Sequence, residues 1–317
     1  MAVTKHKLIG MLQYMRPAYS TTELIFSERY LEPVFGKPDE HGNYILVLGD
    51  RPNICFTAHT DTVHRQEGIQ TLQIDNDIVT TTTGSCLGAD CTTGLWLMLG
   101  MIEAGIEGVY VAHAAEEIGG LGSTALVNDR PAWLIEVDAV ISFDRFGTSS
   151  IITHQGGQRT ASDEFAMSLS SVLGMGMSAD QYGTYTDSLE YAGVIPECTN
   201  ISVGYYDQHT TRESQDLLFA ERLLERLIAA DWSALSIVRN PDVHEGFMVP
   251  YGSYNDSEDE MEELCSLERL VLDRPTEVAK LLYEYGITLD VICDELGLEY
   301  SDRAWYIDNP NINYYHA

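Results

Sequence analysis

Lysine is almost missing from this chain of 317 residues: Lys5, Lys7, Lys37 and Lys280 are the whole supply. Lysine and arginine together number 18 against 49 aspartates and glutamates, a formal net charge of −31. A surface so acidic repels phosphate backbones and anionic lipid heads, which argues against nucleic acid or membrane partners bound through a basic face. Long hydrophobic runs are missing too. The longest, Leu95-Trp-Leu-Met-Leu, is far too short to span a bilayer. The opening MAVTKHK leads into a mixed segment without the apolar core of a secretion signal. Six cysteines (Cys55, Cys86, Cys91, Cys198, Cys265 and Cys293) are too few for a disulfide framework. Cys86 and Cys91 have no second pair at zinc-finger spacing, so reduced thiols in a cytoplasm are the expectation. Neither an internal repeat nor a low-complexity tract is present.

Apolar residues make up 44% of the chain, enough for a sizeable core. The length fits one large α/β domain, with or without a small appendix. Helical pieces are expected at Lys7–Tyr14 and Thr21–Leu31. Apolar runs bounded by Gly, Asp and Pro then predict strands at Asn43–Leu48, Asn53–Ala58, Gly108–Ala112, Val137–Phe143 and Asn200–Tyr205. Between them, helical length and spacing appear at Thr93–Glu103, Ser123–Asn128 and Ala161–Leu173, and then at Ser214–Ala234. Such alternation predicts a three-layer α/β/α fold around a mostly parallel sheet, whose ligand sites lie beyond the carboxyl ends of its strands. The character changes after residue 238. Residues 240–317 hold 18 acids against 4 Lys or Arg. A catalytic domain is therefore expected over 1–238, an acidic linker over 239–263 and a small helical unit over 264–317. That last unit suits docking or self-association better than DNA, because of its charge.

Five short signals fall where strands are expected to end. His59-Thr-Asp61 follows NICFTA, and Asp90 stands just before the helix at Thr93–Glu103. Glu116-Glu117 comes just after GVYVAHAA. Asp144 follows VDAVISF, and His209 comes shortly after NISVGYY. Each alone is ordinary: adjacent glutamates are commonly solvated, and a strand ending in Asp often caps the next helix. Together they supply two imidazoles and several carboxylates. That donor set suits zinc, and a carboxylate with its two oxygens can bridge a pair of cations in a hydrolytic centre.

In this pattern the sequence resembles the co-catalytic zinc exopeptidases, the group of bacterial leucyl aminopeptidases and their lid-bearing carboxypeptidase and deacylase relatives. The group's order of His-x-Asp, bridging Asp, Glu-Glu, Asp or Glu, then His is matched here by His59-x-Asp61, Asp90, Glu116-Glu117, Asp144 and His209. EEIGGLGS from Glu116 and TDSLEYAGVIP from Thr186 support it, over about residues 40–230. The resemblance implies two Zn2+ per chain. Asp90 bridges them, His59 and Asp144 complete one shell, and Glu117 and His209 complete the other. Asp61 orients the His59 ring. Glu116 is the general base, moving a proton from the attacking water to the leaving amine. The bond after the bridging Asp, here Asp90–Cys91, is commonly cis in that group.

Spacing narrows the choice. Lid-bearing relatives insert a domain of roughly a hundred residues between the fourth and fifth ligands, which the short segment from Asp144 to His209 excludes. A lidless, aminopeptidase-like core acting on peptides remains. An N-acyl or small-amide hydrolase of the same fold is the alternative. Behind it stand a one-zinc cyclase of N-terminal glutamine and a binding protein that has lost catalysis. The polar stretch Gly174–Tyr185 falls where the group contacts substrate, so Tyr182, Tyr185 and Asp187 are candidate substrate contacts. Arg145 and His154 flank the site, whereas His64 and His113 match no ligand position of the group.

Overall fold

The computed structural model describes residues 4–242, with Val278, Lys280 and Leu282. The helical unit expected at 264–317, those three positions apart, and all of the linker past residue 242 lie outside the described residues. The chain divides into Met1–Val249 and Pro250–Ala317, and the sheet and its helices belong to the first.

Seven strands form the central sheet: β1 (Tyr44–Leu48), β2 (Ile54–His59), β3 (Gly108–His113), β4 (Ala139–Arg145), β5 (Ser150–Ile152), β6 (Ser178–Asp180) and β7 (Glu197–Ser202). Their spatial order is β6-β5-β7-β4-β2-β3-β1. β7, β4, β2 and β3 run parallel, while β1 pairs antiparallel with β3. β5 pairs antiparallel with β7 and parallel with β6. Every residue of β2, β3 and β7 is buried, as expected of strands covered on both faces.

The period of two sorts their side chains into two cores. Phe56, Ala58, Tyr110, Ala112, Ile141 and Phe143 join a cluster with α1 (Lys5–Met11), α2 (Thr21–Tyr30), α3 (Ala89–Glu103), α5 (Asp163–Leu173) and α6 (Leu217–Ala229). Cys55, Val109, Val111, Val140 and Cys198 face the other way, against Leu126 of α4 (Leu121–Asp129), Tyr191 and Ile195. The result is the three-layer architecture expected from the sequence.

α3 is the central helix, packed on β2, β4 and α6. It is buried all round through most of its length, which explains the near-continuous apolar run LWLML. α6 buries one stripe, Leu217, Ala220, Leu223, Leu224 and Leu227, spaced three and four residues apart. A side sheet, formed by Tyr205–Tyr206, Ser214–Asp216, Ile78–Thr81 and Leu72–Asp75, lies beside the main one. No helix among the described residues is long and apolar enough to cross a membrane.

Boundaries differ from the sequence reading for local reasons. The strand expected over Asn200–Tyr205 is split, because Gly204 turns the chain at φ 92 and sends Tyr205 into the side sheet. The helix expected from Ser214 starts at Leu217, since the Asp216 carboxylate caps it by accepting from the Phe219 amide at 2.9 Å. Tyr14 leaves the first helix to pair with Ile69. The three-residue strands β5 and β6 are too short to show a period.

Gly94 lets α3 approach the sheet. A Cβ there would run into the Phe143 carbonyl, the Cys91 sulfur and Ala58. We expect Gly94→Ala to cost about 1–3 kcal/mol of stability through overpacking, read as a lower urea midpoint at unchanged slope.

Candidate functional site

The carboxyl ends of β2, β3 and β4 meet at one point, and the five signals converge there. His59 is the last residue of β2, Glu116-Glu117 turns off the end of β3, and Asp144 lies near the end of β4. Asp90 enters from the first turn of α3, and its bond to Cys91 is cis, as the family resemblance implies. His209 comes from the loop that joins Tyr205–Tyr206 to Ser214–Asp216, held in the left-handed conformation at φ 62.

The two oxygens of Asp90 face different imidazoles. Oδ1 lies 3.0 Å from His59 Nε2, and Oδ2 lies 3.2 Å from His209 Nε2. Around His59 Nε2 stand Asp144 Oδ1 at 3.5 Å and Glu116 Oε2 at 3.9 Å. Around His209 Nε2 stands Glu117 Oε2 at 3.4 Å. Asp90, Glu117 and His209 thus form one group able to hold a cation. His59 and Asp144 belong to a second, with the Cys91 sulfur nearby. That thiol is engaged with the Phe143 carbonyl at 3.2 Å, so it is not a free donor to the site.

Asp61 ties two corners together. Its Oδ1 is 3.3 Å from His59 Nδ1, while its two oxygens accept the Glu116 and Glu117 amides at 3.1 Å each. His59 Nδ1 also meets the Asp61 backbone carbonyl at 3.1 Å, so the His59 ring and the Glu-Glu turn are fixed by the same residue. Two further histidines are structural. His64 spans Thr62 Oγ1 (2.7 Å) and the Cys86 carbonyl (3.0 Å), and His113 spans Asn43 Oδ1 and the Tyr191 hydroxyl. Burial first of all pushes these imidazoles down to about 4 and about 3, so both are neutral.

The electrostatics show what the donor set lacks. Burial, reinforced by neighbouring carboxylates, raises Glu116 well above the ordinary range, Asp144 to about 7 and Asp187 to about 8. Asp90 moves the other way: burial opposes its charge, but bonds from His209 and His59 outweigh that penalty. Buried oxygens of Glu117, Asp144 and Asp187 have no hydrogen-bond partner at all. Unpartnered buried acceptors are costly, and a cation is the group that satisfies them. The residues present therefore fit a pair of divalent cations sharing Asp90.

Three supports were not foreseen from the sequence. Glu213, four residues beyond His209, is buried and accepts the amides of Leu87, Gly88, Ala89 and Asp90 at 2.8–3.2 Å. One loop thus carries His209 and also caps the helix that carries Asp90. Arg16 is completely buried beneath the site. Its Nε donates to the Thr60 carbonyl at 2.6 Å and its Nη1 to Thr92 Oγ1 at 2.7 Å, with the guanidinium over Phe26. Asn200 brackets the Asp144 backbone, accepting from its N–H and donating to its carbonyl, both at 2.9 Å. A glutamate in a polar loop, an arginine near the first helix and an asparagine in a strand carry no pattern that marks them in advance.

A cavity of about 90 Å³ opens over the cluster, lined by Asp90, Glu116, Glu117, Asp144, Tyr185 and His209, with Arg145 also on its wall. Tyr185 lies on that wall, its hydroxyl against Gly120. Tyr182 is 75% exposed and outside it. Asp187 is buried beneath, and His154 lies in a short hairpin with Gln158–Arg159.

Neither a protein-family model nor a curated protein matches the sequence. Solved structures do match in shape. Aminopeptidase PepT from Bacillus cereus superposes with a TM-score of 0.57 at 15% identity, over 71% of this chain and 96% of that one. A tripeptidase from Staphylococcus aureus gives 0.57 at 14%, over 72% and 98%. The TET1 peptidase of Pyrococcus horikoshii gives 0.56 at 14%, over 74% and 100%. This chain has the fold of those peptidases.

Glu213→Gln keeps the volume but turns one acceptor into a donor facing backbone N–H groups. We expect it to lower stability by about 2 kcal/mol or more, measured by denaturant unfolding.

Proposed function

We propose that this protein is a di-zinc metallohydrolase, an aminopeptidase that removes N-terminal residues from peptides. The observation that carries the reading is the division of Asp90 between His59 and His209, with Asp144 on one side and Glu117 on the other. His59, Asp144 and Asp90 would hold one Zn2+, and Glu117, His209 and Asp90 the other. When bound, such a pair polarises a scissile carbonyl and makes a nearby water acidic enough to attack it near neutral pH.

The protein's own residues supply the rest. Glu116 lies beside this centre without being needed as a ligand. Its desolvated carboxylate holds a proton strongly, which suits a base that takes the water's proton and returns it to the leaving amine. Asp61 fixes the Glu116 backbone and the His59 ring at once, so base and ligand keep their spacing. Tyr185, on the cavity wall, is the candidate donor to a developing oxyanion. The chain's net charge of −31 favours a cationic amino terminus over a neutral acylated one, and this supports the aminopeptidase over the amide hydrolase.

Buried free thiols at Cys55, Cys86, Cys91 and Cys198 support a reducing, cytoplasmic setting. The Pyrococcus horikoshii TET1 peptidase can assemble into a tetrahedron or an octahedral shell, which supports self-association here as well.

Elemental analysis of the purified chain, followed by assay on aminoacyl-nitroanilides, tests the proposal. We expect two zinc ions per chain and release that chelators abolish. One zinc would favour the glutamine-cyclising chemistry, and none after reconstitution would end the metal reading. Glu116→Ala should keep both metals and lower kcat by at least roughly 100-fold. His209→Ala should lower the zinc content itself.

A further inference from the structure

The cavity wall carries one arginine, and that residue has no part in the reaction described above. Arg145 immediately follows Asp144 on β4. In a regular strand two neighbours point to opposite faces. Here the pairing of β7 with β4 slips: Asn200 pairs with Ser142, yet Ser202 pairs with Arg145, so β4 carries an extra residue across the step. A bulge of this kind re-aims side chains at strand ends. It accounts for Asp144 and Arg145 standing on the same cavity. Asn200 supplies the backbone bonds that Asp144 loses to the bulge.

Arg145 is only 8% exposed, held but incompletely paired. Its Nη2 donates to the Tyr182 carbonyl at 3.0 Å, and its guanidinium lies 4.2 Å over the Phe146 ring. Nη2 also donates to Asp180 Oδ2 at 3.4 Å, a long bond to a carboxylate whose oxygens accept as well from Ser150 at 2.7 Å and from the Tyr182 amide at 2.9 Å. Nε is buried without a partner. A guanidinium kept rigid, with N–H groups to spare beyond these two bonds, can receive a second carboxylate.

We propose that Arg145 determines specificity by receiving the free α-carboxylate of a dipeptide, an inference that rests on the aminopeptidase reading and names its substrate class. In a dipeptide the carboxylate stands one residue past the scissile carbonyl, about 3.8 Å between Cα atoms. Asp144 and Arg145 are likewise one residue apart, and the bulge puts both on the cavity. Among the described residues, Arg145 is the one lysine or arginine on this wall, and a net charge of −31 gives no long-range attraction for anions, so a carboxylate has this guanidinium to find beyond the metal pair. A dipeptide is zwitterionic, and the cavity that its two ends would share is lined by acids and by Arg145.

Leucylglycine and its C-terminal amide differ only in that carboxylate. The zinc-loaded wild type is expected to prefer the free acid by roughly 10- to 100-fold in kcat/KM, mostly through KM. Arg145→Met should bring the ratio close to one at unchanged zinc content, and Arg145→Lys should restore part of it. A wild-type ratio near one alongside normal nitroanilide cleavage would overturn this inference and leave the aminopeptidase reading standing, as would a ratio that survives in Arg145→Met. No cleavage of acid, amide or nitroanilide would overturn both. The wild-type comparison decides even if a variant fails to fold.

Discussion

Asp61, Asp90, Glu116, Glu117, Asp144 and Asp187 converge at the carboxyl end of the sheet, and their mutual repulsion is the constraint on which the rest depends. Burial raises the proton affinity of most of them, and buried oxygens of Glu117, Asp144 and Asp187 have no donor. Only His59 and His209 stand among them as possible cations. A chain with 49 acids and 18 basic side chains has few cations to spare, and it places none in the middle of this cluster. Cations bound from outside would supply the remaining compensation, and the two oxygens of Asp90, each facing an imidazole, would divide it between two places.

Repulsion of this kind pushes loops apart, so the backing of the cluster matters as much as its ligands. The segments carrying Glu116-Glu117, Asp90 and Asp144 are each clamped by a buried polar side chain. Asp61 holds the Glu116-Glu117 turn, Glu213 holds the start of α3, and Asn200 holds Asp144. Arg16 joins the segment after His59 to the segment after Asp90 through Thr60 and Thr92. Its charge lies beneath the acids, and burial brings its guanidinium down to about 10, still protonated near neutrality. Carboxylates whose positions are locked in this way keep a site ready for its ion, because little rearrangement is left to make on binding.

The legibility of this molecule in its sequence follows from how local each signal is. Strands buried on both faces are continuous apolar runs, and ICFTA, GVYVA and AVISF show themselves without reference to anything else. Ligands at strand ends inherit that clarity, and so His59, Glu116, Glu117 and Asp144 could be placed from the runs that precede them. Glu213 and Arg16 could not, because their meaning lies in partners 123–126 and 44–76 residues away. The bulge at Asp144 was equally hidden. It arises from a mismatch between two strands, and neither strand alone records it.

That mismatch ties chemistry to selectivity. A regular β4 would have put Arg145 on the face of Ile141 and Phe143, in the core beneath α3, where an arginine would find no water. The extra residue turns a potential fault in the core into a side chain on the cavity wall, beside Asp144. Asn200 makes this possible twice over. Its side chain satisfies the Asp144 backbone, and its own place in β7 fixes where the register slips. A ligand and a neighbouring arginine placed by the same irregularity move together if that irregularity changes. The Asp144 carboxylate and the Arg145 guanidinium are thus held in one frame by one asparagine.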